Sequence, residues 1–426
     1  MLKKKKLLFF AFSFCFVLLI KFYFLFSSFY HAGLSEAIAY NNGDSGHYLS
    51  IARNIHNYHA FADNGSPIPN EYATWRSPIW PFTLSFLFFI SHTVSLLLIS
   101  KLILETLLII YALHIYKKKL KLEWLVVLPF LMLFIEPQYL KYSFTFISES
   151  FNSILILMLT ICFLTLKSNK KHNFIIPVLS AIIVLCHPVS IFFVCSFMGF
   201  YCLINIKSNL KISLLHGMIF VLLLLIWPIR NMMTFDKGFY LTASQGATFS
   251  KGWNEKVALN FTNVNGDLAD EGMNIKFVKD IDKKLPVESV LELSKLYQEG
   301  TYNYINSLSF GQKAAIAFKK IKSNFNPFPE GPKDGFFEDL AIVFRIFYLL
   351  LFVQLFWRLF QFQKFNFDSH TDKTFLIVLC IFVGQILMSV YVYTGFRFNA
   401  IYSLCLLFCL IIVNQNLIKK VINRIV

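Results

Sequence analysis

Charged side chains are scarce in this chain: they make up 15% of 426 residues, while hydrophobic residues make up 56% and phenylalanine alone numbers 50. That balance excludes an ordinary soluble globule, because a core cannot hide so much apolar side chain. Cysteine chemistry is also missing. All eight cysteines (Cys15, Cys162, Cys186, Cys195, Cys202, Cys380, Cys405 and Cys409) fall inside apolar runs, with no CxxC pair and none in a polar loop. This argues against a disulfide framework and against a cysteine metal site. The N-terminal histidines His31, His47, His56, His59, His92 and His114 make no HExxH pattern. No internal repeat stands out, which disfavours a solenoid or a transporter built of repeated halves.

What is present is a series of long apolar runs. A bilayer core about 30 Å thick needs about 20 apolar residues per helix. Such runs occur at 7–29, 93–116, 123–142, 146–166, 212–228, 339–360, 374–393 and 399–417. The first follows a basic start at residues 3–6 and precedes no small-residue cleavage site, so it reads as a retained span. Residues 173–206 suit two shorter helices broken at His187 and Pro188, because proline deprives a helix of a backbone hydrogen bond. The expectation is then an all-α polytopic membrane protein of about ten transmembrane helices. Residues 80–90 are apolar but short, and read as a juxtamembrane or re-entrant helix.

The formal net charge of +16 comes from Lys and Arg in short clusters between apolar runs, not along one basic face. This is a topology signal and speaks against a nucleic-acid partner. Placing 80–90 on one side leaves the clusters at 3–6, 117–121, 167–171, 207–211, 358–373 and 419–424 cytoplasmic, with both termini inside. The expected organisation is an N-terminal transmembrane module over 1–230 with a first outer loop at 30–92, a large outer loop at 231–338, and C-terminal transmembrane helices over 339–426. Within the large loop, 286–305 and 310–321 have amphipathic spacing (Val290, Leu293, Leu296, Tyr297; Ala314, Ala317, Ile321) and read as interfacial helices.

Several polar residues at the expected outer ends of spans carry candidate chemistry. Asp44, Tyr48 and Ala52 share one helix face, and an aspartate at the mouth of a membrane helix suits base work, although Asp44 or Ser45 equally suits an N-cap. Glu71 and Arg76 precede a proline-started apolar helix, where a guanidinium holds a phosphate or anchors the interface beside Trp75 and Trp80. Glu149 sits in a short turn between spans, either facing a wet cavity or solvated. Arg230 and Arg397 are two further outward cations, Arg53 and His47 flank the Asp44 segment, and His187 reads as a polar residue at a kink.

In this order, Asp44 with Tyr48 and Ala52, Arg76-Ser77-Pro78 with Pro81, Ser148-Glu149, Pro228-Ile229-Arg230-Asn231, Gly252 with Asn254, and Arg397 together resemble a GT-C glycosyltransferase. More narrowly the set resembles glycosyltransferase family 39, the protein O-mannosyltransferase and lipid A aminoarabinose transferase group, with departures at Ser77, His187 and Glu149. The resemblance implies a GT-C-like fold and a membrane enzyme that takes a sugar from a polyprenyl phosphate donor on the outer face of the cytoplasmic membrane. It also implies that no nucleotide sugar or cofactor is used and generally no catalytic metal, with a divalent metal left open, and that the acceptor is a lipid, glycan or protein. On this expectation Asp44 is general base, Glu149 orients the acceptor or assists, and Arg76, Arg230 and Arg397 hold the donor phosphate. Tyr48, His47, Glu71 and Arg53 would support the acceptor or the loop. A membrane glycan polymerase and a flippase for lipid-linked sugar are the rival expectations; Glu105 and Glu136, inside expected spans, suit the flippase.

Overall fold

The computed structural model describes residues 14–23, 43–120, 128–165, 174–206, 209–259, 289–328, 336–361, 369–415 and 417. His31, Lys121, Lys207, Pro286 and the basic clusters at 3–6, 167–171 and 419–424 lie outside the described residues. Among the described residues every regular element is helical and no strand occurs. The helices are α1 (Phe14–Tyr23), α2 (Gly43–Tyr58), α3 (Ile79–Leu87), α4 (Val94–Leu120), α5 (Pro137–Ser143), α6 (Glu149–Leu164), α7 (Ile175–Cys186) and α8 (Ile191–Ile206). They continue as α9 (Leu210–Phe235), α10 (Gln245–Gly252), α11 (Glu255–Ala258), α12 (Val290–Ser307), α13 (Phe310–Phe325), α14 (Phe336–Phe360), α15 (His370–Tyr391) and α16 (Phe396–Val413). Short 3-10 turns lie at Glu71–Trp75, Leu128–Ile135 and Pro188–Ser190.

Four of these, α4, α9, α14 and α15, are long and apolar enough to cross a membrane; α1, α6, α7, α8 and α16 are apolar but shorter. α9 keeps Leu214, Met218, Val221, Leu222, Ile226 and Met233 exposed along one flank, a surface suited to lipid. The expected single span at 123–142 is not one helix. Glu136 accepts a hydrogen bond from the Tyr139 amide at 2.6 Å and caps a new helix at Pro137, whose missing N–H suits a first helical position. The expected break at His187 and Pro188 is present: His187 is extended (φ −144°, ψ 108°), as a residue before proline prefers, and α7 ends there. α9 by contrast runs through Pro228 to Phe235, beyond its expected end. The amphipathic segments are helical too, but they bury Leu291, Ser294 and Thr301, and Ile316, Lys320 and Asn324. Those faces pack on α10 and on α15.

The core is held by long-range packing, with α16 on α6 and α8 on α15 the most extensive pairs. α8 and α15 approach closely because Gly384 has no side chain; a Cβ there would lie 2.8 Å from the Phe193 Cα. A buried polar ladder crosses the bundle. Lys101 of α4 pairs with Glu105 at 2.8 Å and donates to the Ser143 carbonyl (2.7 Å) and the Ser150 hydroxyl (3.0 Å). The Tyr139 hydroxyl donates to Glu105 at 3.2 Å, and the Lys21 ammonium donates to Tyr139 at 2.8 Å. Each ion here is matched by an opposite charge or a hydrogen bond, as burial requires.

Candidate functional site

Four separate pieces of chain bring charge to one place. Asp44 stands in the first turn of α2, and Glu149 is the first residue of α6, positions where the helix dipole favours a carboxylate. Arg76 follows the turn Glu71–Trp75 with extended backbone (φ −110°, ψ 148°), a turn set by Asn70, whose side chain accepts from the Ala73 amide. Arg397 opens α16 after the extended Gly395. Trp80 of α3 donates from Nε1 to the Phe146 carbonyl at 2.6 Å, and Ser45 accepts from the Phe146 amide at 3.2 Å. These two bonds fix α2 and α3 against the segment that leads into Glu149.

The two carboxylates and two guanidiniums form one network. Arg76 donates from Nη2 to Asp44 Oδ1, and Arg397 donates from Nη1 to Asp44 Oδ2. Arg397 also donates from Nε to Glu149 Oε1, and His187 Nε2 lies 3.6 Å from the same oxygen. At the other end Arg76 donates from Nε to His47 Nδ1 at 2.9 Å, while His47 Nε2 lies 2.7 Å from Asp63. Because Nδ1 accepts, the ring proton sits on Nε2, facing the Asp63 carboxylate. Tyr48 shares a 3.2 Å hydrogen bond with Ser148, and its ring lies 5.1 Å beneath the Arg76 guanidinium.

Exposure separates the members. The Asp44 side chain is 26% exposed, those of Arg397 and Arg76 are 21% and 14%, and that of Glu149 is closed off at 0%. Of the two carboxylates, Asp44 is therefore the one open to solvent. Burial opposes its ionisation, but the charges of Arg397 and Arg76 outweigh burial and hold it well below the usual carboxylate range. Burial pushes the Tyr48 phenol up to about 12, so it stays neutral. Asp63 is also held low: burial works against it, and the hydrogen bonds from His47 and Ser50 prevail.

Of the residues singled out from sequence, the fold unites Asp44, Glu149, Arg76, Arg397, His47 and Tyr48. Arg230 stands apart, half-buried among Trp227, Phe235 and Phe61 with ring centroids at 4.9, 5.3 and 5.7 Å, and donating to Asn231 at 3.0 Å. Arg53 is exposed, 6.0 Å over Phe88. Glu71 ties the loop to later segments, accepting from Ser289 at 2.6 Å and pairing with Lys237 at 2.9 Å. His187 proves to be more than a kink residue, since it also faces Glu149. Asp63 was not legible beforehand: with Asn64 and Gly65 after it, it looks like an ordinary turn residue. No protein-family model, curated protein or solved structure matches this chain.

Proposed function

We propose that this chain is a membrane glycosyltransferase that moves a sugar from a polyprenyl phosphate donor to an acceptor hydroxyl on the outer face of the cytoplasmic membrane. The observation that carries this reading is the convergence of Arg76 and Arg397 on the partly exposed Asp44, beside the buried Glu149. Two fixed guanidiniums suit a phosphate that gains charge as it leaves. A carboxylate next to them suits the acceptor's proton.

In the reaction the acceptor oxygen attacks the anomeric carbon and forms the new glycosidic bond. The bond from that carbon to the donor's phosphate oxygen breaks, the phosphate leaves with the electron pair, and Asp44 takes the acceptor proton, with inversion at carbon. Glu149 holds Arg397 in place. The ten-span topology with both termini inside, and a GT-C-like architecture, belong to the same reading. The acceptor class is a lipid, glycan or protein.

A carrier for lipid-linked sugar fits less well. The buried acids that would serve it are engaged structurally, Glu105 by Lys101, Ser150 and Tyr139, and Glu136 by the Tyr139 amide and the Tyr348 hydroxyl. The test is transfer of labelled sugar from a monosaccharide polyprenyl phosphate in proteoliposomes, for the wild type and for Asp44→Asn and Arg76→Ala. Transfer by the wild type that falls at least about a hundredfold in Asp44→Asn supports the reading, in line with the usual worth of a general base. Wild-type rates in both variants would sink it. Chain growth on the product would identify a polymerase instead.

A further inference from the structure

Each arginine of the site has two jobs, done by different nitrogens. Arg76 uses Nε for His47 and a terminal nitrogen for Asp44. Arg397 uses Nε for Glu149 and a terminal nitrogen for Asp44. The Nε anchors are backed from behind, His47 by Asp63 and Glu149 by His187. Loss of Asp44 from the network would therefore leave both guanidiniums held, with their terminal nitrogens aimed at one point. The arginines are the fixed part, and Asp44, the most exposed of the four charged side chains, is the exchangeable part.

Asp44 as it stands is a poor base. Both of its oxygens already accept from a guanidinium, and a carboxylate held so far below its ordinary range has little driving force to take a proton. A phosphate group offers what the carboxylate now offers, two oxygens able to bridge two guanidiniums, with more charge to attract them.

Resting on the glycosyltransferase reading, we infer that the donor's phosphate displaces the Asp44 carboxylate from between Arg76 and Arg397. The displaced carboxylate regains its basicity only when the donor is seated. Asp44 is thus the internal counter-ion of the empty site and the base of the filled one. Donor must bind before the acceptor's proton can be taken, so acceptor alone meets an unarmed residue. The proton balance is unchanged: it moves from acceptor to Asp44 during attack, and the phosphate departs bound to the two arginines.

The experiment measures binding of a sugar-free polyprenyl monophosphate to protein in nanodiscs of neutral lipid, for the wild type, Asp44→Asn, Asp44→Ala and Arg76→Ala. Removing a residue of the site normally weakens binding. Here both Asp44 variants should bind tighter, by about tenfold, which corresponds to about 1.4 kcal/mol of relieved competition, while sugar transfer is lost. Thermal stabilisation by the same phosphate should also be larger in both Asp44 variants than in the wild type, a readout that works where one of them folds poorly. Arg76→Ala should weaken binding. Wild-type binding with no tightening in either Asp44 variant would overturn the exchange and leave the transferase reading standing. No binding by the wild type or any variant would remove the phosphate-donor reading itself.

Discussion

Arg397→Ala tests the centre of the network through stability. Glu149 is fully buried, its Oε1 accepts from Arg397, and its Oε2 has no hydrogen-bond partner among the described residues. Removing the arginine takes away the guanidinium that donates to that carboxylate and leaves His187 at 3.6 Å as its nearest ion-pair partner among the described residues. An ion pair broken on one side inside a protein costs about 3–5 kcal/mol, because the remaining charge stays buried without compensation. Arg397 is itself one-fifth exposed and keeps Asp44 as a partner, so the reverse change, Glu149→Gln, should cost less, about 1.5–3 kcal/mol, the worth of a charged hydrogen bond. The double variant removes both the buried charge and its partner. It should recover about 2 kcal/mol relative to Arg397→Ala, and that recovery together with the cost of Glu149→Gln gives the coupling energy that a double-mutant cycle isolates. The assay is unfolding in detergent micelles followed by tryptophan fluorescence. A double variant no more stable than Arg397→Ala would refute the claim that Arg397 compensates the buried carboxylate of Glu149.

Two further outcomes rest on other parts of the fold. Lys320 of α13 is fully buried, its ammonium donating to the Val390 carbonyl at 3.2 Å and lying 4.4 Å over the Trp253 ring. Burial holds its pKa well below the ordinary lysine value, so between those two values the unfolded chain binds the extra proton. Stability should therefore rise with pH across that interval, and the slope in a pH series of melting temperatures should vanish in Lys320→Met. At Gly384 a methyl group would meet the Phe193 backbone at 2.8 Å; Gly384→Ala should force α8 and α15 apart and destabilise by about 1–3 kcal/mol. Unchanged unfolding of that variant would contradict the close contact.

Much of the architecture is legible in sequence because it depends on local rules. Apolar runs of sufficient length become helices wherever they stand, and a proline stops a helix where its neighbour must be extended, as at His187. The same rule misleads at Pro228, where α9 continues; within apolar surroundings a helix tolerates proline when its freed carbonyls find other partners. The run at 123–142 is not one helix because hydropathy ignores capping: Glu136 with Pro137 starts a new helix inside it.

The sequence by itself determined that the chain is helical and apolar, and which polar residues stand at the ends of its helices. Those facts follow from composition and from spacing over a few residues. Only the tertiary structure decided which of those residues meet. Arg397 reaches Asp44 across 353 positions and Glu149 across 248, because α16 packs along α6; no periodicity of either helix states that pairing. Elsewhere in the fold Arg230 ends among aromatic rings, and Asp63 of an ordinary turn meets His47 of α2. Charge at a helix end is a local property, whereas the partner that charge finds is set by which helix faces bury one another.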